Sequence, residues 1–224
     1  MRKNIYLTID DSPSIHTSQK VEYLRSHDIP ALFFCRGEFI EKHPQQVINI
    51  IRNGFLVGNH SYSHPYFSEI SLDDCIQEIL KTEDLINQSY ALAKITRPSK
   101  IIRFPFGDLS GDNEVALNNF LTAENFERVH FGNLTSTQSL SAPWTWDSKD
   151  YKTHLIKNPS NYLEELQKHF EENPSNDEIL LLHDFDHTHH LFEITMDFLR
   201  SNQVLFLRSE EHTSELQSLA CISY

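Results

Sequence analysis

The chain has 224 residues, 39% of them hydrophobic, so it fits one large domain better than two and can bury a substantial core. Its formal charge of -13 and lack of any basic run argue against a nucleic-acid partner, since phosphate binding needs clustered Lys and Arg. No apolar stretch is long enough for a membrane span, no signal-peptide pattern is seen at the N-terminus, and three cysteines without paired spacing suggest free thiols, so a cytoplasmic location is expected.

Apolar, β-branched runs alternate with amphipathic stretches along the chain. A strand is expected over Ile5–Asp10, a helix over Thr17–His27, a strand over Ala31–Cys35, a helix over Pro44–Arg52 and a strand over Phe55–Asn59. The best helical signal follows at Ser71–Tyr90. It opens on a capping-box-like Ser71-Leu72-Asp73-Asp74 and carries Leu72, Ile76, Ile79, Leu80 and Ile86 on one stripe. Further strands are expected over Ile101–Phe104, poorly defined near Arg128–Phe131, then over Pro143–Asp147, Ile179–His183 and Val204–Leu207. Helices are expected over Asn113–Asn125, Ser160–Glu172 and Leu191–Ser201. This alternation means an α/β fold with a parallel sheet, long enough to close into a (β/α) barrel.

The segment after Leu207 differs in kind. Arg208–Ser218, "RSEEHTSELQS", has neither strand nor clean helix character and resembles the translation of a sequencing adapter, with Leu219–Tyr224 as read-through. The expected domain is therefore 1–207, followed by a non-native tail over 208–224.

In such a barrel, polar residues at the C-terminal ends of strands form the site. Here those ends carry Asp10-Asp11, His60, Arg103, Asp147 with Asp150 close by, and His183-Asp184. Two adjacent aspartates after an apolar strand are costly unless a cation resolves their repulsion and desolvation. His60 and His64 are four apart and can share a face, but with thirteen histidines in the chain such a pair also arises by chance, as His183 and His187 illustrate. Two His plus a carboxylate would give the three-ligand arrangement of catalytic zinc.

"TIDDSP" (Thr8–Pro13), "HSYSH" (His60–His64), "RFPFG" (Arg103–Gly107), "DSKDY" (Asp147–Tyr151) and "ILLLHD" (Ile179–Asp184) follow the order of the five motifs of polysaccharide deacetylases. The chain thus resembles the NodB-like enzymes of carbohydrate esterase family 4 from about Ile5 to Leu207. The resemblance implies a distorted (β/α) barrel of seven or eight strands that removes acetyl from an N-acetylated carbohydrate. It implies a divalent metal, zinc foremost, held by Asp11, His60 and His64. Asp10 would be the general base, paired with Arg103, and His183 the acid that protonates the departing amine, oriented by Asp150. The backbone N–H of Phe106 would stabilise the oxyanion, and Tyr151 and Leu181 would line the acetyl pocket. Pairing with Arg103 and the nearby cation are expected to lower the Asp10 pKa, with the break at Ser12-Pro13 letting Asp11 turn away from Asp10.

Three positions depart from the family pattern: Ser12 stands for Gly, Phe106 for a common Tyr, and Tyr151 for Trp. None removes a ligand or a proton carrier. The same fold and site could serve a related C–N hydrolase acting on a small cyclic amide or ureide, which the missing export signal favours somewhat. A non-catalytic carbohydrate-binding homologue is the third reading. Asp184 and Asp186 read as solvated loop residues or orienters, His187–His190 as an exposed helix start capped by Thr188, and Cys35 as buried packing. Trp144 and Trp146 could stack on a sugar, with core packing as plausible for Trp146.

Overall fold

The computed structural model describes residues 2–108, 111–135 and 139–210. The chain enters through β1 (Asn4–Ser12), α1 (Thr17–Ser26), β2 (Ala31–Cys35), α2 (Gly37–Lys42), α3 (Pro44–Arg52), β3 (Leu56–Asn59) and α4 (Leu72–Ala93). It continues through α5 (Glu114–Ala123), β4 (Trp146–Asp147), α6 (Thr153–Ile156), α7 (Pro159–Glu172), β5 (Asp177–His183), α8 (His189–Ser201) and β6 (Leu205–Phe206).

Every strand pairing is parallel, in the order β3-β2-β1-β5-β4, with β6 beside the start of β1. Strands covered by helices on one side and a filled barrel on the other read as near-continuous apolar runs, which is why "ALFFC" is buried at every position. Inside the ring, Leu32, Phe34, Leu56, Ile101, Val129, Phe131 and Ile179 form one cluster. The alternate residues Leu7, Ile9, Phe33, Val57, Leu180 and Leu182 pack outward under the helices. The parallel register makes Asp10 and His183 direct partners across β1 and β5, so the strand ends that carry the chemistry lie side by side.

The expected strands at Ile101–Phe104 and Pro143–Asp147 are cut short. The first is reduced to single bridges from Ile102 to Asn59 and to Ser141, and the chain beyond Ser141 runs on to β4, closing the ring with few ladder bonds. Prolines explain this: Pro105 and Pro143 have no N–H to give a ladder. No strand forms over Arg128–Phe131. Val129 and Phe131 alternate inward because they fill the barrel, and the alternation reports burial without a ladder partner. Among the described residues the result is a barrel of six strands plus these bridged segments, distorted where it closes.

The longer helices match the expected ones to within three residues, and α3 coincides with its expected span. Ser71 is the N-cap of α4, its hydroxyl accepting from Asp74 N at 3.1 Å. The short α2 and α6 were not anticipated, because six and four residues are too few for a 3.6-residue period to register. Of the adapter-like tail, Arg208 pairs with Asp28 at 3.5 Å and Ser209 is buried, while the stretch from Glu211 onward lies outside the described residues. Among the described residues, no helix is long and apolar enough to cross a membrane.

Candidate metal centre

Asp10 and Asp11 occupy a bulge. The β1–β2 register runs Ile9↔Phe33 and then Ser12↔Cys35, so β1 spends one residue more than its partner. Asp10 keeps the inward direction shared with Thr8, whereas Asp11 takes a left-handed backbone, φ 56°, which Asp tolerates better than bulkier residues. The two carboxylates therefore aim differently although they are neighbours. This differs from the expected break at Ser12-Pro13: the strand runs through Ser12 and the redirection happens inside it.

His60 follows β3 and His64 ends the loop after it. Glu78 on α4 organises that loop, accepting from Tyr62 N (2.9 Å), Ser63 N (2.6 Å) and Ser63 Oγ (2.9 Å), and Asn59 Oδ1 accepts from Ser61 N at 2.9 Å. His60 Nδ1 donates to the Arg103 carbonyl at 2.8 Å, which leaves Nε2 as the lone-pair nitrogen. His60 Nε2 and His64 Nε2 are 3.2 Å apart, and Asp11 Oδ1 is 3.6 Å from His64 Nε2. Ligands about 2.0–2.2 Å from a tetrahedral ion stand about 3.3–3.6 Å from each other, so these two spacings suit neighbouring ligands of one ion. Burial pushes the His60 pKa down to about 3 and that of His64 to about 2, so both rings are neutral and offer lone pairs. One carboxylate and two neutral imidazoles within 4.8 Å suit a divalent metal. No other such set occurs among the described residues.

Asp10 stands beside this trio, its Oδ2 3.5 Å from His60 Nε2. Arg103 Nη1 donates to Asp10 Oδ1 at 2.9 Å and to Thr8 Oγ1 at 2.8 Å, while Nε and Nη2 donate to the carbonyls of Ala142 (3.0 Å) and Pro143 (2.7 Å). The guanidinium also lies 4.5 Å over the Phe34 ring. It is fully buried and fixed on every side. Burial pushes the Asp10 pKa up and outweighs Arg103, which lowers it by charge and by hydrogen bond.

His183 Nδ1 and Asp150 Oδ1 are 2.7 Å apart, and the other Asp150 oxygen accepts from His183 N at 2.9 Å. Burial acts to lower the His183 pKa, but Asp150, by charge and hydrogen bond, together with Asp11 and Asp10 carries it up to about 9. Tyr151 stands edge-on to His183, 4.8 Å between centroids, and its hydroxyl donates to Asp147 at 3.1 Å. Leu181 lies in β5 two residues before His183, on the same face, and is buried. Phe106 sits in a one-turn helix at φ 58°, its ring half exposed and 4.4 Å from His64.

Residues 1–121 match the polysaccharide deacetylase family. The chain belongs to that family. Over 152 residues it is 31% identical to a peptidoglycan-N-acetylglucosamine deacetylase from Bacillus cereus, covering 67% of this chain and 47% of the relative. Over 85 residues it is 38% identical to a chitooligosaccharide deacetylase from Rhizobium leguminosarum bv. trifolii, covering 38% of this chain and 40% of that one. It thus spans about half or less of the length of these curated relatives. A solved polysaccharide deacetylase from Bacillus cereus shares the fold with a TM-score of 0.71 at 23% identity, covering 95% of both chains. A peptidoglycan deacetylase from Bacillus subtilis does so at 0.65 and 22%, covering 98% of this chain and 92% of that one.

Beside the residues expected from sequence, this polysaccharide deacetylase domain brings others to the centre. Arg36, at the end of β2, donates to Asp11 Oδ1 at 3.4 Å and to the Ser63 carbonyl at 3.1 Å. Tyr66 stacks on Phe106 with centroids 3.9 Å apart, and Trp144, named from the sequence, packs 5.5 Å from Arg103. Neither Arg36 nor Tyr66 belongs to a spacing pattern; only proximity to Cys35 and to the His64-Pro65 turn could have drawn attention to them. Asp184 is fully buried, so the reading of it as a solvated loop residue fails. Asp186 is exposed and accepts from Ile15 N at 3.1 Å. Thr188 stands at the α8 N-cap position, yet its hydroxyl makes no cap bond and donates back to the His183 carbonyl at 2.9 Å. His189 stacks on His16 at 4.6 Å, and His187 on Phe185 at 5.4 Å, without converging on a second metal set. Trp146 is core, stacked on His169 at 4.4 Å, and the buried Cys35 has its pKa raised well above that of a free thiol, which suits packing.

Proposed function

We propose that this domain hydrolyses the acetamido group of an N-acetylated carbohydrate, with a divalent metal, zinc foremost, held by Asp11, His60 and His64. The observation that carries the reading is the division of labour at the end of β1. Asp11 faces the two histidines, while Asp10, one residue away, is held by Arg103 at 2.9 Å. When bound, the ion would supply Lewis-acid polarisation of the amide carbonyl and a more acidic water. Asp10, held in place by Arg103, would take a proton from the attacking water. As the water oxygen bonds to the carbonyl carbon, the Phe106 N–H would donate to the developing oxyanion. His183, kept protonated by Asp150, would give its proton to the nitrogen as the C–N bond breaks, yielding acetate and a free amine. Leu181 and Tyr151 would flank the acetyl methyl. The names of the relatives, deacetylases of peptidoglycan and of chitooligosaccharides, support a polymeric or oligomeric N-acetylated sugar as substrate.

The test is a panel of chitooligosaccharides, acetylated xylan and a cyclic imide, assayed for acetate and for ring opening with zinc present. Acetate from the chitooligosaccharides is expected. Ring opening without acetate release would assign the site to cyclic amides. Sugar binding without turnover would make this a binding protein.

A further inference from the structure

Behind the centre, Asp184 and Lys20 form an ion pair of 2.7 Å in which both side chains are fully buried. The Asp184 carboxylate also accepts from Ser14 N (3.2 Å), Ser14 Oγ (2.7 Å) and Thr17 Oγ1 (2.5 Å), and its backbone N–H donates to the Asp10 carbonyl at 2.8 Å. Lys20 Nζ reaches the His183 carbonyl at 3.3 Å. Thr17, Lys20, Val21 and Leu24 make up the buried stripe of α1, so a lysine occupies a position where the 3.6-residue period calls for an apolar side chain. A buried ion pair gives little net stability over an apolar pair of the same volume, so stability alone does not account for it. What it does is join two strand ends. One end carries Asp10, Asp11 and the turn to Ser14; the other carries His183.

We infer that Lys20 and Asp184 are positioning residues, a buried clamp that sets the bulged end of β1 against the end of β5. It thereby fixes Asp11 toward the metal site and Asp10 relative to His183. The inference rests on the function proposed above for Asp10 and His183, but its effect on Asp11 is measurable without turnover.

The test compares the wild type with the double variant Lys20→Met/Asp184→Asn, because Asp184→Asn alone leaves a buried ammonium unpaired and can fail to fold. Thr17→Val and Thr17→Ser form a milder pair. Zinc affinity is read by chelator competition, and kcat and KM by acetate release at saturating zinc. The double variant is expected to melt within a few degrees of wild type. Its zinc affinity should fall by about tenfold, the usual loss on removing an outer partner of a ligand. Its kcat should fall at least about tenfold with KM little changed, the mark of an interaction made in the transition state. Thr17→Val should show a smaller loss of the same kind and Thr17→Ser should recover wild-type values. Wild-type zinc affinity and kcat in the double variant would overturn the clamp. Lost affinity with unchanged kcat would overturn it for Asp10 and His183; the converse would overturn it for Asp11. If the wild type hydrolyses nothing on the panel, the proposed function fails, while the zinc affinities still decide whether the clamp fixes Asp11.

Discussion

Two adjacent aspartates of one strand have different partners, and that difference is testable residue by residue. Asp11→Ala removes the only carboxylate of the candidate metal set, so bound zinc and activity are expected to disappear together, as elemental analysis and acetate release would report. Asp10→Asn should keep the metal and lose roughly a hundredfold to ten-thousandfold in rate, the worth of a positioned general base. The reverse pattern would exchange the two roles. His183 titrates to a different end. Its pKa in the fold is about 9, above the usual value for histidine, so the stability it contributes is fully present below about pH 6.5 and lost as pH rises through 9. Asp150→Asn removes the main cause of that elevation. The alkaline limb of activity is expected to move to lower pH, and the melting-temperature gap to wild type should be widest below pH 6.5 and shrink toward pH 9. A limb that stays in place would remove Asp150 from its role. Both aspartates and His183 were legible in the sequence because they sit at strand ends. Arg36 was not, because nothing in "FFCRG" distinguishes a metal-side arginine from a solvent-facing one until the chain is folded.

At the scale of elements, legibility followed length and burial. The spans of α3 and β2 could be read directly, since one has a continuous 3.6-residue stripe and the other is apolar throughout. The closing segments around Ile102 and Ser141 could not, because their apolar residues report a filled barrel interior and their prolines deny them a ladder. The bulge at Asp10–Asp11 was also hidden: it falls in the polar end of the strand, where no apolar alternation follows to show the extra residue. Close packing makes β3 sensitive just before His60. A Cβ on Gly58 would come within 2.7 Å of the Phe34 ring and 2.9 Å of Ile101. Gly58→Ala is therefore expected to cost about 1–3 kcal/mol by overpacking, read as a drop in melting temperature of several degrees. An unchanged melting temperature would mean that the strand yields more easily than this packing implies.

At the scale of the whole molecule, the site was legible because five short motifs fall in order at the ends of parallel strands, and the register then brings those ends together. The domain boundary proposed at Leu207 rests on the adapter-like sequence after it. Because Ser209 is buried and Glu210 N donates to the His130 carbonyl at 3.4 Å, the cleaner cut falls after Glu210. Removing residues 211–224 is expected to leave the melting temperature and zinc content unchanged, and a clear loss of either would make that segment part of the domain. The centre itself is tested most directly by zinc content. After dialysis of the purified chain against zinc and then against buffer, elemental analysis should find one ion per chain in the wild type and in His187→Ala, and almost none in His60→Ala or His64→Ala. Zinc retained by His60→Ala and His64→Ala, or lost from His187→Ala, would contradict a metal centre built from Asp11, His60 and His64.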